Sequence, residues 1–198
     1  FTRFCSKIPT MISAVINTLN EEKNIERCLK SLCQLADEIV VCDDGSTDNT
    51  VEIAKKFGAK IFNHKSAGFV EAARNFAIEK ATGDWILVVD ADEEIQQSLA
   101  KTLKTIATQP QKLYKLMPKQ KLVQNWKEVN YILIPRKNII FGKWIKHSGW
   151  WPDYNVRFFK KGKVTWSGKI HKDPETKGKS FDLGAEENLA IIHHNYYS

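Results

Sequence analysis

No stretch of this 198-residue chain approaches the roughly 18–20 consecutive apolar residues of a membrane-spanning helix, so a helical span within it is not expected. No charged-then-apolar leader of the secretory kind stands at its start. The first residue is Phe1 rather than Met, and the last three, Tyr196-Tyr197-Ser198, close no element. The expectation is therefore a piece truncated from a longer protein. The four cysteines, Cys5, Cys28, Cys33 and Cys42, form no C-x-x-C pair and have no histidine at finger spacing beside them. Neither a zinc finger nor a thioredoxin-like motif is expected. Cys28 falls at an apolar helical position and Cys42 ends an apolar run. Both predict buried, reduced thiols and a cytoplasmic setting. Internal repeats and low-complexity tracts are absent as well.

What is present has the balance of a globular α/β protein: 42% hydrophobic and 27% charged residues, enough apolar material for a core. The formal net charge of +7 favours anionic partners: nucleic acid, a phosphorylated substrate or an anionic membrane surface. In the first half, MISAVI (11–16), EIVVC (38–42), AKIF (59–62) and DWILVV (84–89) are apolar runs of strand length. Between them, Ile25, Cys28, Leu29 and Leu32 recur at helical spacing, as do Val51, Ala54 and Phe57, and residues 69–81 read as a third helix. Asn20 and Asp48 are the expected caps, Gly58 and Gly83 the expected stops. Such alternation means βαβ crossovers and a mostly parallel sheet. After a helix over 98–108, residues 109–127 are basic, carry Pro110 and Pro118, and read as a loop. From Val129 on, the separate short runs YILIP, NIIFG, GWWPD, VRFF and VTWSG predict short strands and loops.

Ligands in such sheets bind at the carboxyl ends of the strands. Three polar clusters fall there: Asn17-Thr18, Asp43-Asp44-Gly45-Ser46 and Asp90-Ala91-Asp92. Two carboxylates two residues apart can hold a divalent cation and leave open positions for substrate phosphates. The same residues, with Glu93 and Glu94, also suit the acidic start of a helix. A carboxylate at Asp43 or Asp44 can accept from a base N–H or a ribose hydroxyl, whereas Asp48 reads as a cap. Arg74, beside Asn75 on the third helix, can reach a diphosphate bidentately, and Lys65 lies just before it. A solvent-facing arginine is the plainer alternative. His193 and His194, adjacent on an expected strand, point to opposite faces and cannot share one metal.

In order and spacing, SAVINTLNEEKNIERCLKSL, EIVVCDDGSTDNT and GFVEAARNFAIEKATGDWILVVDADE resemble family 2 of the inverting glycosyltransferases. NYILIPRKNIIFG, HSGWWPDYNVRFFKKG, WSGKIH and IIHHNYYS are similar to the branch that includes lipopolysaccharide core glucosyltransferases. The resemblance implies the GT-A fold: a Rossmann-like, mostly parallel sheet flanked by helices. Residues 8–95 would form the nucleotide-sugar-binding half and 96–198 a mixed acceptor-binding half of the same domain. It implies transfer of a sugar from a nucleoside-diphosphate donor, a UDP-sugar, to a glycan or lipid-linked acceptor in cell-envelope polysaccharide synthesis. Mg²⁺ or Mn²⁺ would be the cofactor. Thr18, Asn20, Glu21 and one of Asp43 or Asp44 would hold the nucleotide, with Lys65, Arg74, Asp90 and Ala91 along the rest of the donor. Asp90 and Asp92 occupy the D-x-D position, Asp92 the more direct metal contact. His171 falls where a third metal or diphosphate contact is often placed, although relatives carry His-Glu there and this chain has His171-Lys172. Asp153, in WWPD, is the implied general base; if that stretch is helical, Arg157 pairs with it instead.

Two other classes fit less well. A sugar nucleotidyltransferase needs a glycine-rich basic loop after the first strand, where Asn17-Thr18-Leu19-Asn20-Glu21 is acidic and lacks glycine. A nucleic-acid-binding module suits the net charge but not the acidic strand ends, so no nucleic acid is expected in the crevice. Lys112, Lys115, Lys119 and Lys121 beside Leu113, Leu116, Met117 and Leu122 predict peripheral contact with an anionic membrane surface, at its inner face, or with a lipid-linked acceptor.

Overall fold

The computed structural model describes residues 10–64, 70–115, 125–167 and 172–195. Strand β1 (Ile12–Thr18) is buried along its whole length. β2 (Glu38–Asp43) runs parallel beside it, and β3 (Lys60–Asn63) continues parallel beyond β2. β4 (Trp85–Asp90) lies parallel on the other side of β1. A strand covered on both faces reads as a continuous apolar run, which is why MISAVI shows no alternation. Ile12, Ala14 and Ile16 pack in one cluster with α1 (Ile25–Leu32), α2 (Thr50–Lys56) and α4 (Gln97–Thr108). Val15, on the opposite face, packs with α3 (Val70–Lys80) through Ala73, Ala77 and Ile78.

After β4 the chain makes a short strand, β5 (Glu93–Ile95), before α4. The later part supplies β6 (Val129–Ile140), β7 (Lys143–Trp144), β8 (Asp153–Lys160), β9 (Val164–Thr165), β10 (Glu175–Thr176), β11 (Lys179–Asp182) and β12 (Ile191–Asn195). The main sheet runs β3-β2-β1-β4-β8-β6-β12-β5, with β7 and β11 also on β6; β9 and β10 pair separately. β8 is antiparallel to both β4 and β6, while β12 is parallel to β6 and antiparallel to β5. Only Ala91 and Asp92 separate β4, in the middle of this order, from β5, at its end. The mixed sheet must therefore curl back on itself, so β8, β6 and β12 wrap around the 90–93 turn. This α/β architecture is the GT-A fold.

Several local expectations need correction. YILIP and NII fall in one twelve-residue strand, with Pro135 opposite Tyr154, although a proline donates no ladder hydrogen bond. Asn20 does not cap α1. It sits at φ 57°, and its side chain accepts from the Thr47 backbone N–H at 2.8 Å, tying the loop after β1 to the loop after β2. Asp48 lies one residue before the cap of α2, accepting from Thr50 N at 3.0 Å and Glu22 N at 3.1 Å. Within 109–127, 3₁₀ turns occupy Pro110–Lys115 and Trp126–Glu128. Leu113 is fully buried in the core, so it is withdrawn from the surface that the membrane expectation needs. Leu116, Met117, Lys119, Lys121 and Leu122 lie outside the described residues. Cys28 and Cys42 are buried free thiols, and burial, helped by Asp44 and Asp43, pushes Cys42 up to about 12. Among the described residues, no helix is long and apolar enough to cross a membrane.

Candidate active site

The carboxyl ends of β1 and β2 gather buried polar atoms without partners. Asn17 is 8% exposed, and neither its amide nitrogen nor its oxygen has a hydrogen-bond partner. Thr18 Oγ1 is likewise buried and unpartnered. Asp43 Oδ2 accepts from Gly45 N (3.1 Å) and Ser46 N (3.0 Å) around a glycine at φ 99°, while its Oδ1 has no partner. Leaving such a group unsatisfied costs about 1–3 kcal/mol, so their concentration marks a place completed by ligand or water. Asp44 is already engaged, facing His64 Nδ1 at 3.1 Å. Glu21 accepts from the Asn24 side chain at 2.8 Å, and its own N–H donates to Thr50 Oγ1. Burial raises its pKa, assisted by Asp92, Asp48 and Asp90.

The 90–93 turn is built from charge. Arg74 reaches Asp90 Oδ1 at 2.8 Å and Arg157 reaches Asp90 Oδ2 at 2.7 Å. Burial opposes ionisation of Asp90, but the two guanidiniums outweigh it and hold the carboxyl well below the usual carboxylate range. Arg74 is steadied from α3: the Asn75 amide bonds Trp166 backbone N and O, placing the indole 5.8 Å from the Arg74 guanidinium. Both Asp90 oxygens are thus taken up by arginine, and the solvent-facing alternative for Arg74 does not hold.

Asp92 has a different neighbour. Its Oδ2 lies 3.1 Å from His193 Nε2, and His193 Nδ1 lies 2.7 Å from Asn138 Oδ1. Asn138 turns its amide nitrogen toward Asp153 Oδ2 at 3.3 Å, so its oxygen faces the imidazole and requires an N–H there. In the neutral ring, the Nε2 lone pair is then directed at Asp92. An oxygen and an imidazole nitrogen converging, with the second ring nitrogen held by an amide, suit a divalent ion that keeps open positions for phosphate oxygens. Among the described residues, no group of three or more histidine, cysteine or carboxylate side chains gathers to hold an ion unaided. His194 points the other way, 3.0 Å from Glu94.

Asp153 opens β8 and pairs with Arg136, whose Nε and Nη2 both lie 2.8 Å from Asp153 Oδ2; Asn155 donates to Oδ1 at 3.1 Å. The stretch is strand, not helix, so the alternative pairing with Arg157 does not form, and Arg136 takes that place.

The family model for glycosyl transferase family 2 matches residues 13–173. The chain belongs to that family. The SPbeta prophage-derived glycosyltransferase SunS of Bacillus subtilis is 30% identical over 195 residues, covering 96% of this chain and 41% of that protein. An uncharacterized glycosyltransferase of Rickettsia typhi, RT0209, is 44% identical over 88 residues, 44% of this chain and 30% of its own length. The chain thus spans less than half the length of either relative. In fold it is similar to S. aureus TarS residues 1–349, with a TM-score of 0.55 at 22% identity, covering 76% of this chain and 47% of that one.

Of the residues singled out in this family 2 sequence, Thr18, Asp43, Arg74, Asp90, Ala91, Asp92 and Asp153 line the curled end of the sheet or adjoin it. Asn20, Glu21 and Asp44 lie close by but are engaged in loop contacts. Lys65 and His171 lie outside the described residues. Sequence reasoning placed Asn17 in a strand-end polar cluster without giving it a role, and passed over Glu93, Arg136, Asn138, Arg157 and His193 as site residues. The available signal was weak: a polar residue ending an apolar run at Asn17, and an arginine between apolar residues in VRFF.

Proposed function

We propose that this family 2 chain carries the catalytic part of a metal-assisted, inverting glycosyltransferase that uses a UDP-sugar. The supporting observation is the convergence, at one end of the sheet, of unpartnered Asn17, Thr18 and Asp43 atoms with the Asp92–His193 pair. TarS, similar in fold, has been solved in complex with UDP and with UDP-GlcNAc. In this reading Asp43 Oδ1 and Thr18 Oγ1 receive the nucleoside, with Asn20, Glu21 and Asp44 shaping its loop. Arg74, anchored on Asp90 beside Ala91, offers its remaining N–H groups to the diphosphate, with Lys65 as a second cation. Asp92 and His193 would hold Mg²⁺ or Mn²⁺, with His171 as a further contact. A bound ion neutralises the charge developing on the leaving diphosphate. Asp153, oriented by Arg136 and Asn138, takes the proton of the attacking acceptor hydroxyl, and the anomeric configuration inverts in a single displacement. The acceptor would be a glycan or lipid-linked sugar of the cell envelope, met on the cytoplasmic side of an anionic membrane.

Calorimetric titration of UDP with and without Mn²⁺ tests this reading. Mn²⁺ is expected to strengthen UDP binding, and Asp92→Ala to remove most of that gain while the fold persists. A folded Asp92→Ala protein with the full gain would overturn the metal assignment. Tight DNA or RNA binding without UDP binding would favour the nucleic-acid class instead.

A further inference from the structure

We infer that the buried Glu93–Arg157 pair is a positioning element, which fixes the 90–92 turn against the second half of the sheet and so sets Asp92 relative to Asp153. Glu93 is 0% exposed, and Arg157 is 4% exposed. Glu93 Oε2 accepts from the Asp90 backbone N–H at 2.9 Å, and Oε1 accepts from Arg157 Nη2 at 2.9 Å. The same Arg157 nitrogen bonds Asp90 Oδ2 at 2.7 Å. One guanidinium nitrogen from β8 thus clasps both ends of the turn between β4 and β5.

The backbone is shaped to deliver it. Phe158 pairs with Ile132 and Val156 with Leu133, so Arg157 is the extra residue of a β-bulge on β8. Bulges re-aim a side chain, and here the result is three consecutive buried residues, 157–159, which a regular strand against one core would not give. Phe158 and Phe159 enter the two separate core clusters, while Arg157 is turned onto Asp90 and Glu93. Stability is a poor explanation for the pair, because apolar residues of like volume serve a core as well as a buried ion pair does. Direction is what the pair adds. Arg136 Nη1 stands 3.8 Å from Glu93 Oε1 and bonds Asp153 through its other nitrogens. The series Asp90, Arg157, Glu93, Arg136, Asp153 runs unbroken from the turn to the proposed base, parallel to the series Asp92, His193, Asn138, Asp153.

The inference rests on the metal-assisted reading above, and its test separates the two. Glu93→Gln, Arg157→Lys and Arg157→Met are compared with the unsubstituted chain in UDP affinity with and without Mn²⁺, melting temperature and the ring NMR signals of His193. Removing a partner behind a metal ligand typically costs roughly 10–100-fold in metal affinity. Glu93→Gln is expected to lose about tenfold or more of the Mn²⁺-dependent gain while metal-free UDP affinity holds. Arg157→Lys keeps part of the gain that Arg157→Met loses, and the His193 ring signals move in all three. A fall in melting temperature with the gain and the ring signals unchanged overturns the inference, because a merely structural pair behaves that way. Should the unsubstituted chain show no Mn²⁺ gain, the metal-assisted reading fails, and the ligand-free His193 signals still decide whether the pair positions the turn. Should Glu93→Gln not fold, Arg157→Lys carries the same comparison.

Discussion

The two ends of the same parallel sheet treat buried polar groups in opposite ways. At the amino ends of β1, β2 and β4 each one is matched. The backbone N–H groups of Met11 and Ile12 donate to the exposed Asp84 (3.0 Å) and Asp37 (2.9 Å). Glu38 accepts from Ser13 Oγ, from Lys60 Nζ at 2.6 Å, and from Thr82 N and Oγ1 at 2.8 and 3.0 Å. Burial works against its ionisation, yet these donors outweigh it and lower the carboxyl to about 2. At the carboxyl ends, Asn17, Thr18, Asp43 Oδ1, Arg74 Nε and Arg157 Nη1 have no partner. Glu38, saturated by its own chain at the end away from the strand-end clusters, serves the fold. Unsatisfied groups cost stability and are left for something that binds.

If this contrast is right, substitutions at the two ends should separate activity from stability. The largest effect is expected for Asp153→Asn, which should lower sugar transfer by roughly 10²–10⁴-fold with UDP binding and melting temperature little changed. Near-normal transfer by that variant would place the base elsewhere.

Glu38→Gln should do the reverse, lowering stability on the order of 2–3 kcal/mol at pH 7 without changing UDP affinity. The sign follows from a folded pKa of about 2 against an ordinary 4.5. The contribution is fully present above the unfolded value and is lost as pH falls from about 4.5 toward 2. Denaturant melts across that range should show the acid dependence flattened in Glu38→Gln; an unaltered slope would refute the assignment.

Gly83→Ala probes the same amino end by packing. A Cβ there would stand 2.6 Å from Ser13 Oγ, 2.8 Å from Ser13 N and 2.9 Å from Met11 O. Because two of these are backbone atoms, a loss of about 1–3 kcal/mol is expected. A thermal melt matching the unsubstituted chain would show that the close approach is relieved cheaply.

The smallest effect on stability is expected for Asn17→Leu. Replacing an unpartnered buried amide by an apolar side chain of similar size should leave stability unchanged or raise it by roughly 0.5–1 kcal/mol, while weakening UDP binding. A marked drop in melting temperature with UDP affinity intact would reverse the contrast between the two ends.

Much of the first half was legible in the sequence. β1, β2, β4 and the helices between them follow apolar periodicity and glycine stops, which are local signals, and the polar clusters mark strand ends because the runs before them are apolar. The later part was harder to read. Pro135 disguised a twelve-residue strand as two, and a bulge at Arg157 leaves no trace in composition. Arg136 and Arg157 looked like ordinary basic residues in a chain of net charge +7.

The sequence by itself determined which segments become strands and helices, the strand-end placement of Asp43, Asp90 and Asp92, and membership of family 2. Tertiary structure alone decided the partner of each strand-end carboxylate. Asp90 spends its charge on Arg74 and Arg157, Asp92 faces His193, and Asp153 is held by Arg136. Those partners lie 16, 67, 101 and 17 residues away along the chain. Pairing over such separations is set by the curl that joins β4 to β5 through two residues, and no local pattern encodes it.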